Sequence, residues 1–163
     1  MNMELNHIRY LRQAVEVSKR SRANGNTPFG ALLVGPDGQV LMEQENEEIT
    51  RHCATLHAEM ALAARASEAY EKDFLWNCTL YTTVEPCPMC TGGIYWANIG
   101  RIVYGVTEKR LLEMTGDDEQ NPTFDMGADK VIAAGQKPIQ VEGPVREVEE
   151  EVVEVHRGFW KNS

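Results

Sequence analysis

Two short motifs, thirty residues apart, place one imidazole, two thiols and one carboxylate at fixed points of the chain. They read His57-Ala58-Glu59 and Pro86-Cys87-Pro88-Met89-Cys90. Two cysteines separated by two residues can hold one metal ion from a single turn of backbone, and a distant histidine supplies a third ligand that suits tetrahedral zinc. Any fold of this chain must therefore bring the two segments into contact.

Three protein ligands leave the fourth position of a tetrahedral metal open. A water bound there loses a proton near neutral pH and becomes a nucleophile. Glu59 lies two residues after His57, so we expect its carboxylate to reach the open position and to carry protons. The alternatives are a redox pair or a structural zinc site. A structural site needs a fourth ligand, and the candidates are His52, Cys53, Cys78 and His156.

Length, charge and cysteine content narrow the class of protein. A chain of 163 residues predicts one domain, residues 1–163, that needs neither metal nor disulfides to bury a core. Cys53 and Cys78 are predicted to be small buried residues. The sequence has no signal-peptide core and no apolar run of membrane-spanning length, so we expect no membrane association and a cytoplasmic location. A net charge of −9 makes nucleic acid an unlikely partner.

Hydrophobic periodicity predicts strands and helices in alternation around both motifs. A helix is predicted from Glu4 to about Ala23, and the segment Asn46–Thr55 is predicted to be a loop over the site. The other predicted elements up to residue 106 are a hairpin of strands 31–34 and 40–44, a helix 57–69, a strand 78–84, a helix 88–97 and a strand 101–106. Both motifs then lie at helix starts, where exposed N–H groups favour thiolate.

The last third of the chain is less regular. Residues 111–129 are predicted to be a loop, with a lid as one option, and 130–134 a short helix or strand. A strand is predicted at 139–141. A terminal amphipathic helix is predicted at about 145–160, because Val148, Val152, Val155 and Phe159 recur between acidic residues.

The two motifs resemble the His-x-Glu and Pro-Cys-x-x-Cys signature of the zinc nucleoside and nucleobase deaminases. Within residues 4–118, further matches resemble the guanine deaminase branch of the cytidine-deaminase-like superfamily. They are Thr27-Pro28-Phe29-Gly30-Ala31, Asn46, the run Gly92, Ile94, Tyr95, Trp96 and Ala97, and the pair Asp117-Asp118.

This resemblance implies an α/β protein, a three-layer α/β/α fold with a mixed, about five-stranded sheet. It also implies one Zn²⁺ per chain on His57, Cys87 and Cys90, a homodimer, and conversion of guanine to xanthine with release of ammonia. A small nucleobase is then the expected partner. Cytosine, a guanosine-type nucleoside, a triazine or a pterin remains an alternative ring, and a tRNA adenosine substrate is disfavoured by the acidic charge. The C-terminal Phe159-Trp160 is similar to ends that complete a neighbour's pocket in some members.

The resemblance also implies roles for individual acids. Glu59 gives a proton to the ring nitrogen and then helps the amine to leave as ammonia. Asp117 or Asp118, with Asp118 the stronger candidate, accepts hydrogen bonds from an amino group or shuttles a second proton; a solvated acidic loop is the alternative. Glu85 is expected to support the cysteine turn.

Besides Asp117, four residues are candidates for substrate binding. The amide of Asn46 both donates and accepts, so it can recognise a ring edge that presents a carbonyl beside an N–H. Phe29 and Trp96 would sandwich a planar base, with core packing as the alternative. Ala58, between the histidine and the glutamate, completes the set.

Overall fold

A central five-stranded sheet organises residues 6–161, the part of the chain that the computed structural model describes. The strands are β1 (Gly30–Val34), β2 (Val40–Glu45), β3 (Thr79–Val84), β4 (Arg101–Val106) and β5 (Gln140–Glu142). They lie in the order β2-β1-β3-β4-β5, with β1 antiparallel to both neighbours and β3, β4 and β5 parallel. The predicted mixed sheet is therefore confirmed.

Helices cover both faces of the sheet. They are α1 (His7–Ala23), α2 (Ala58–Ala69), α3 (Lys72–Leu75), α4 (Pro88–Ala97), α5 (Glu108–Thr115), α6 (Ala128–Ala133) and α7 (Glu149–His156), the last preceded by a 3-10 turn (Arg146–Val148). Successive residues of a strand point to opposite faces. Leu32 and Tyr81 accordingly join α1 and α7 in one core, and Leu33 and Leu80 join α2 and α4 in the other. These two cores make the fold a three-layer α/β/α arrangement.

The predicted elements around the motifs agree with the structure to within about one residue, but the last third differs. Residues 111–129 were expected to form a loop, yet α5 continues to Thr115 and α6 begins at Ala128. Thr107 caps α5 by accepting a hydrogen bond from the Arg110 N–H, and Leu111 packs in the core. The undecided segment 130–134 is helical to Ala133.

The terminal helix is shorter than predicted. It starts at Glu149 and ends at His156, and Gly158 then adopts a left-handed φ of 74° that ends helical geometry. The predicted start of the first helix at Glu4 lies outside the described residues. Within residues 6–161, no helix combines the length and apolar character that crossing a bilayer requires.

The sheet brings several chain segments to one edge. Because β3 and β4 are parallel, their carboxyl ends lie side by side, and β2 runs in the same direction through two antiparallel steps. The segments that follow these three strands start at Asn46, Glu85 and Thr107. Clefts outside the carboxyl ends of strands are common ligand sites in α/β proteins.

Candidate active site

The imidazole and the two motif thiols meet at the starts of two neighbouring helices. His57 is the N-cap residue of α2 and Cys87 that of α4, and neither side chain caps its own helix. The Nδ1 atom of His57 lies 3.7 Å from the Sγ atom of Cys87. With Cys90, their donor atoms lie within 4.8 Å of one another. Within the described residues, no fourth histidine, cysteine or acid joins this group.

The charges in this group fit a dication. A hydrogen bond with Cys90, together with the imidazole of His57, lowers the pKa of the Cys87 thiol to about 4. The same pairing with Cys87 raises the pKa of His57 to about 9. Cys87 therefore favours the thiolate, the form that ligates a metal, whereas the hydrogen bond with Cys87 and burial raise the pKa of Cys90. One nitrogen and two sulfurs with a fourth position open are a donor set of catalytic zinc.

Glu59 lies beside the metal-ligand group, in the first turn of α2. Its side chain is 6% exposed and lines a cavity with His57 and Cys87. Burial, reinforced by the negative charge of Cys87, raises the pKa of Glu59 to about 7. A carboxyl group with a pKa near neutrality can both accept and release protons at physiological pH.

The cavity has a volume of about 430 Å³, which lies in the range of small-molecule sites. Phe29 and Val84 supply apolar surface, and the segment 119–124 also lines the cavity. No lysine or arginine of the described chain lines it. Five glutamates do: Glu48, Glu59, Glu85, Glu108 and Glu119. The cavity is therefore acidic.

The other predicted substrate-binding residues have different positions. Phe29 lines the cavity. Asn46 is 1% exposed and accepts a hydrogen bond from the Glu48 N–H at 2.9 Å. It thereby holds the backbone of Glu48, a residue that lines the cavity. Ala58 is buried at the start of α2, and Trp96 is 74% exposed on α4; neither is among the described residues that line the cavity. Direct substrate contact by these three residues stays a prediction.

The acidic pair Asp117-Asp118 faces the C-terminal end of the described chain. The Asp118 carboxylate accepts hydrogen bonds from the N–H groups of Gln120, at 2.8 Å, and Lys161, at 2.6 Å, and these bonds lower its pKa. Asp117 Oδ2 lies 3.7 Å from Lys161 Nζ. Asp118 thereby links Lys161 to Gln120, which belongs to the segment 119–124. The predicted proton-transfer role of Asp118 is untested by this geometry.

Two cysteines outside the motif differ from each other. Cys78 is buried, as predicted. The prediction for Cys53 is wrong, because it is only half-buried, in a surface turn where its sulfur lies 3.6 Å from Thr55 Oγ1.

Glu85 does more than support the cysteine turn. Its carboxylate accepts hydrogen bonds from the N–H groups of Glu108, at 2.9 Å, and Ala128, at 2.8 Å. It thereby joins the end of β3 to the starts of α5 and α6.

Sequence reasoning missed Glu48 and Glu108, and it predicted the segment 119–124 only as part of a loop, with a lid as one option. A signal for Glu108 existed, because it follows the parallel neighbour of the strand that precedes the cysteines. The segment 119–124 carried no such signal.

This fold and this site define the class of α/β proteins with a candidate zinc centre at two helix starts. The model of the cytidine and deoxycytidylate deaminase zinc-binding region matches residues 5–106. The chain belongs to that family.

Relatives with different substrates resemble this chain. A probable cytosine deaminase of Schizosaccharomyces pombe is 33% identical over 94% of this chain and 91% of its own length. A guanine deaminase of Bacillus subtilis is 36% identical over 70% of this chain and 73% of its own. A tRNA-specific adenosine deaminase of the same organism is 32% identical over 62% of each chain.

Solved structures confirm the fold. The Bacillus subtilis guanine deaminase superimposes with a TM-score of 0.61 at 26% identity and covers 98% of both chains. The protein NE0047, solved in complex with 2,6-diaminopurine, gives a TM-score of 0.76 at 20% identity and covers 96% of this chain and 82% of its own. At that identity the second likeness concerns the fold alone.

Proposed function

We propose that this protein hydrolytically removes an amino group from a free nucleobase, with guanine, giving xanthine and ammonia, as the first candidate substrate. The observation that supports this most directly is the position of Glu59 beside the group His57, Cys87 and Cys90, at the wall of a 430 Å³ cavity. Family membership supplies the reaction class.

The residues of the site divide the chemistry between them. One zinc ion per chain, held by His57, Cys87 and Cys90, would lower the pKa of a water molecule and so provide the nucleophile. Glu59 would accept one proton from the attacking water and pass it to the ring nitrogen while the new C–O bond forms. It would then move the second proton of the same oxygen to the amine, so that the C–N bond breaks, the carbonyl forms and ammonia leaves. Phe29 offers a flat apolar surface for the ring.

The side chains that line the cavity favour a substrate without phosphate. Five glutamates line it, whereas the sites that hold phosphate groups use lysine, arginine or free N–H groups. The formal net charge of −9 adds long-range repulsion to any nucleic acid. A free base is therefore a better candidate than a tRNA adenosine, although a tRNA-specific relative exists.

Cytosine is the second candidate. The probable cytosine deaminase of Schizosaccharomyces pombe matches 94% of this chain, a larger share than the guanine deaminase of Bacillus subtilis does. The choice between a one-ring and a two-ring base depends on the residues that line the cavity. Of these, Glu108 and the segment 119–124 lie outside the matched residues 5–106.

A homodimer is proposed on a separate observation. Trp96 is 74% exposed on α4, next to Tyr95, whose ring it meets edge-on at 5.2 Å. A second copy of the chain would cover it. Light scattering at micromolar concentration should give twice the chain mass, and Trp96→Glu should give the single mass; a monomeric wild type would contradict the dimer.

Ammonia release from a panel of free bases tests the proposed function. Zinc-loaded enzyme should release ammonia from guanine, with cytosine next, and enzyme stripped by a chelator should release none until zinc is restored. Release from cytosine alone would replace guanine by cytosine as the substrate. Release from no base in the panel would contradict the proposal.

A further inference from the structure

Glu108 places an unpaired acid in the wall of the cavity. Its side chain is 3% exposed, lines the cavity, and leaves its Oε2 atom with no hydrogen-bond partner in the described chain. Its backbone is fixed independently, because its N–H donates to Glu85 and the preceding Thr107 caps α5. The side chain is therefore not needed to hold this turn in place.

An unpaired buried carboxyl group is costly to keep. Burial, with the negative charges of Cys87, Glu59 and Glu85, raises the pKa of Glu108 to about 9. Buried polar atoms in native proteins nearly always have partners, so an exception calls for an explanation. An apolar side chain at this position would fill the same space without the desolvation penalty. The protein thus keeps an acid at the wall of the cavity, where a molecule bound there can pair with it.

The strand order indicates which part of a substrate this acid meets. Cys87 follows β3 by three residues and Glu108 follows β4 by two, and neighbouring strands lie about 4.8 Å apart. A flat ring whose amine-bearing carbon faces the metal-ligand group would thus present another edge to Glu108. A carboxyl oxygen accepts a hydrogen bond in either protonation state.

We propose that Glu108 accepts a hydrogen bond from a ring N–H of the substrate and so makes the enzyme select free bases over rings substituted on that nitrogen. The inference rests on the proposed deaminase function. The selected substrates are free bases such as guanine or cytosine, and the rejected ones are their nucleosides and N-methyl analogues. A ring without the N–H would leave the buried acid unpaired, and sites of this kind discriminate strongly.

Two pairs of rings test the selection directly: guanine with 9-methylguanine, and cytosine with 1-methylcytosine. The pair whose parent base releases ammonia faster is used. The wild type should prefer the parent by roughly 5- to 100-fold in kcat/KM, the range for leaving a buried hydrogen-bonding group without its partner. Glu108→Met keeps the volume and removes the acceptor, so the parent should lose that factor through KM, and the preference should fall to about one.

Two further variants separate recognition from structure. Glu108→Gln keeps one acceptor oxygen and should retain part of the preference. Glu113→Met is the matched control, since Glu113 lies on the same helix with an exposed side chain that pairs with Arg110 at 3.5 Å. It should leave kcat, KM and the preference unchanged. Because Glu108 Oε2 has no partner, Glu108→Met should fold with an unchanged or higher Tm.

Each failure has a distinct signature. A wild type that releases no ammonia from either parent contradicts the proposed function itself. An active wild type together with a Glu108→Met variant of unchanged KM and preference overturns only the role of Glu108. A preference that persists in Glu108→Met would show that methyl groups are rejected by shape. A variant that misfolds, or loses Tm and activity on both rings equally, would show that Glu108 is structural.

Discussion

Two sets of residues at the cavity differ in how the chain supplies them. In the compact set, His57 and Glu59 come from one helix start and Cys87 and Cys90 from another, each pair within four residues. The rest of the lining is assembled from single residues and one short segment that lie far apart in sequence, among them Phe29, Glu48, Glu108 and 119–124. We propose that the compact set carries the bond-breaking chemistry and that the assembled set determines which ring enters. We therefore expect changes in the first to abolish turnover and changes in the second to alter KM.

The largest effect should come from Cys90→Ala. Cys90 is fully buried and belongs to the metal-ligand group, so its loss should remove zinc and reduce ammonia release below detection. Zinc per chain, measured by elemental analysis, and turnover give the result. Cys78→Ala is the control, because Cys78 is equally buried but outside that group, and it should retain both. A Cys90→Ala variant with full zinc would place the metal elsewhere.

A smaller effect is expected from Asp118→Ala. Asp118 joins Lys161 to the base of the segment 119–124, so its loss should loosen this wall and raise KM by roughly 3- to 10-fold, with kcat little changed. Steady-state kinetics would separate the two constants, with the exposed Asp125→Ala as control. If kcat instead fell by roughly 100-fold or more, Asp118 would be the second proton carrier that the resemblance implies.

The smallest effect should be a pH dependence of the free energy of unfolding that arises from His156, which packs against the cavity residue Phe29. His156 is 1% exposed, accepts a hydrogen bond from Trp160 Nε1 and packs edge-on against Phe29 at 5.3 Å. Burial, with the positive charge of Arg22, lowers its pKa from 6.5 to about 3. Below pH 6.5 the unfolded chain binds a proton that the folded chain does not. Stability is therefore complete above pH 6.5 and is lost as the pH falls toward 3.

This loss amounts to about 2 kcal/mol between pH 6.5 and 5 for one histidine. Urea unfolding at pH 7.5 and pH 5 measures it. His156→Gln, which can still accept from Trp160, should flatten the dependence by that amount. An equal slope in wild type and variant would assign the acid sensitivity to other groups.

The sequence predicts an element or a site residue well when the residues that determine it lie close together in the chain. The motif elements were predictable because Pro88, the apolar strand residues and the ligand spacing are all local signals. Glu108 was missed because its position depends on strand order, which one sequence does not state, and the segment 119–124 was predicted as a loop or lid but not placed at the cavity. Trp96 was assigned by motif, but six residues beyond Cys90 the helix has turned it toward solvent. The loop prediction over α5 failed because its Thr107 cap and the burial of Leu111 outweigh the polar composition.

Turnover by Glu59→Gln at full zinc occupancy tests most directly whether the compact set performs the chemistry. The substitution keeps the shape of the side chain and removes its ability to carry protons. We expect one zinc per chain, an unchanged fold, and ammonia release lower by roughly 10²- to 10⁴-fold. Ammonia release at the wild-type rate from fully zinc-loaded Glu59→Gln would contradict the assignment of Glu59 as the proton carrier of a zinc deaminase.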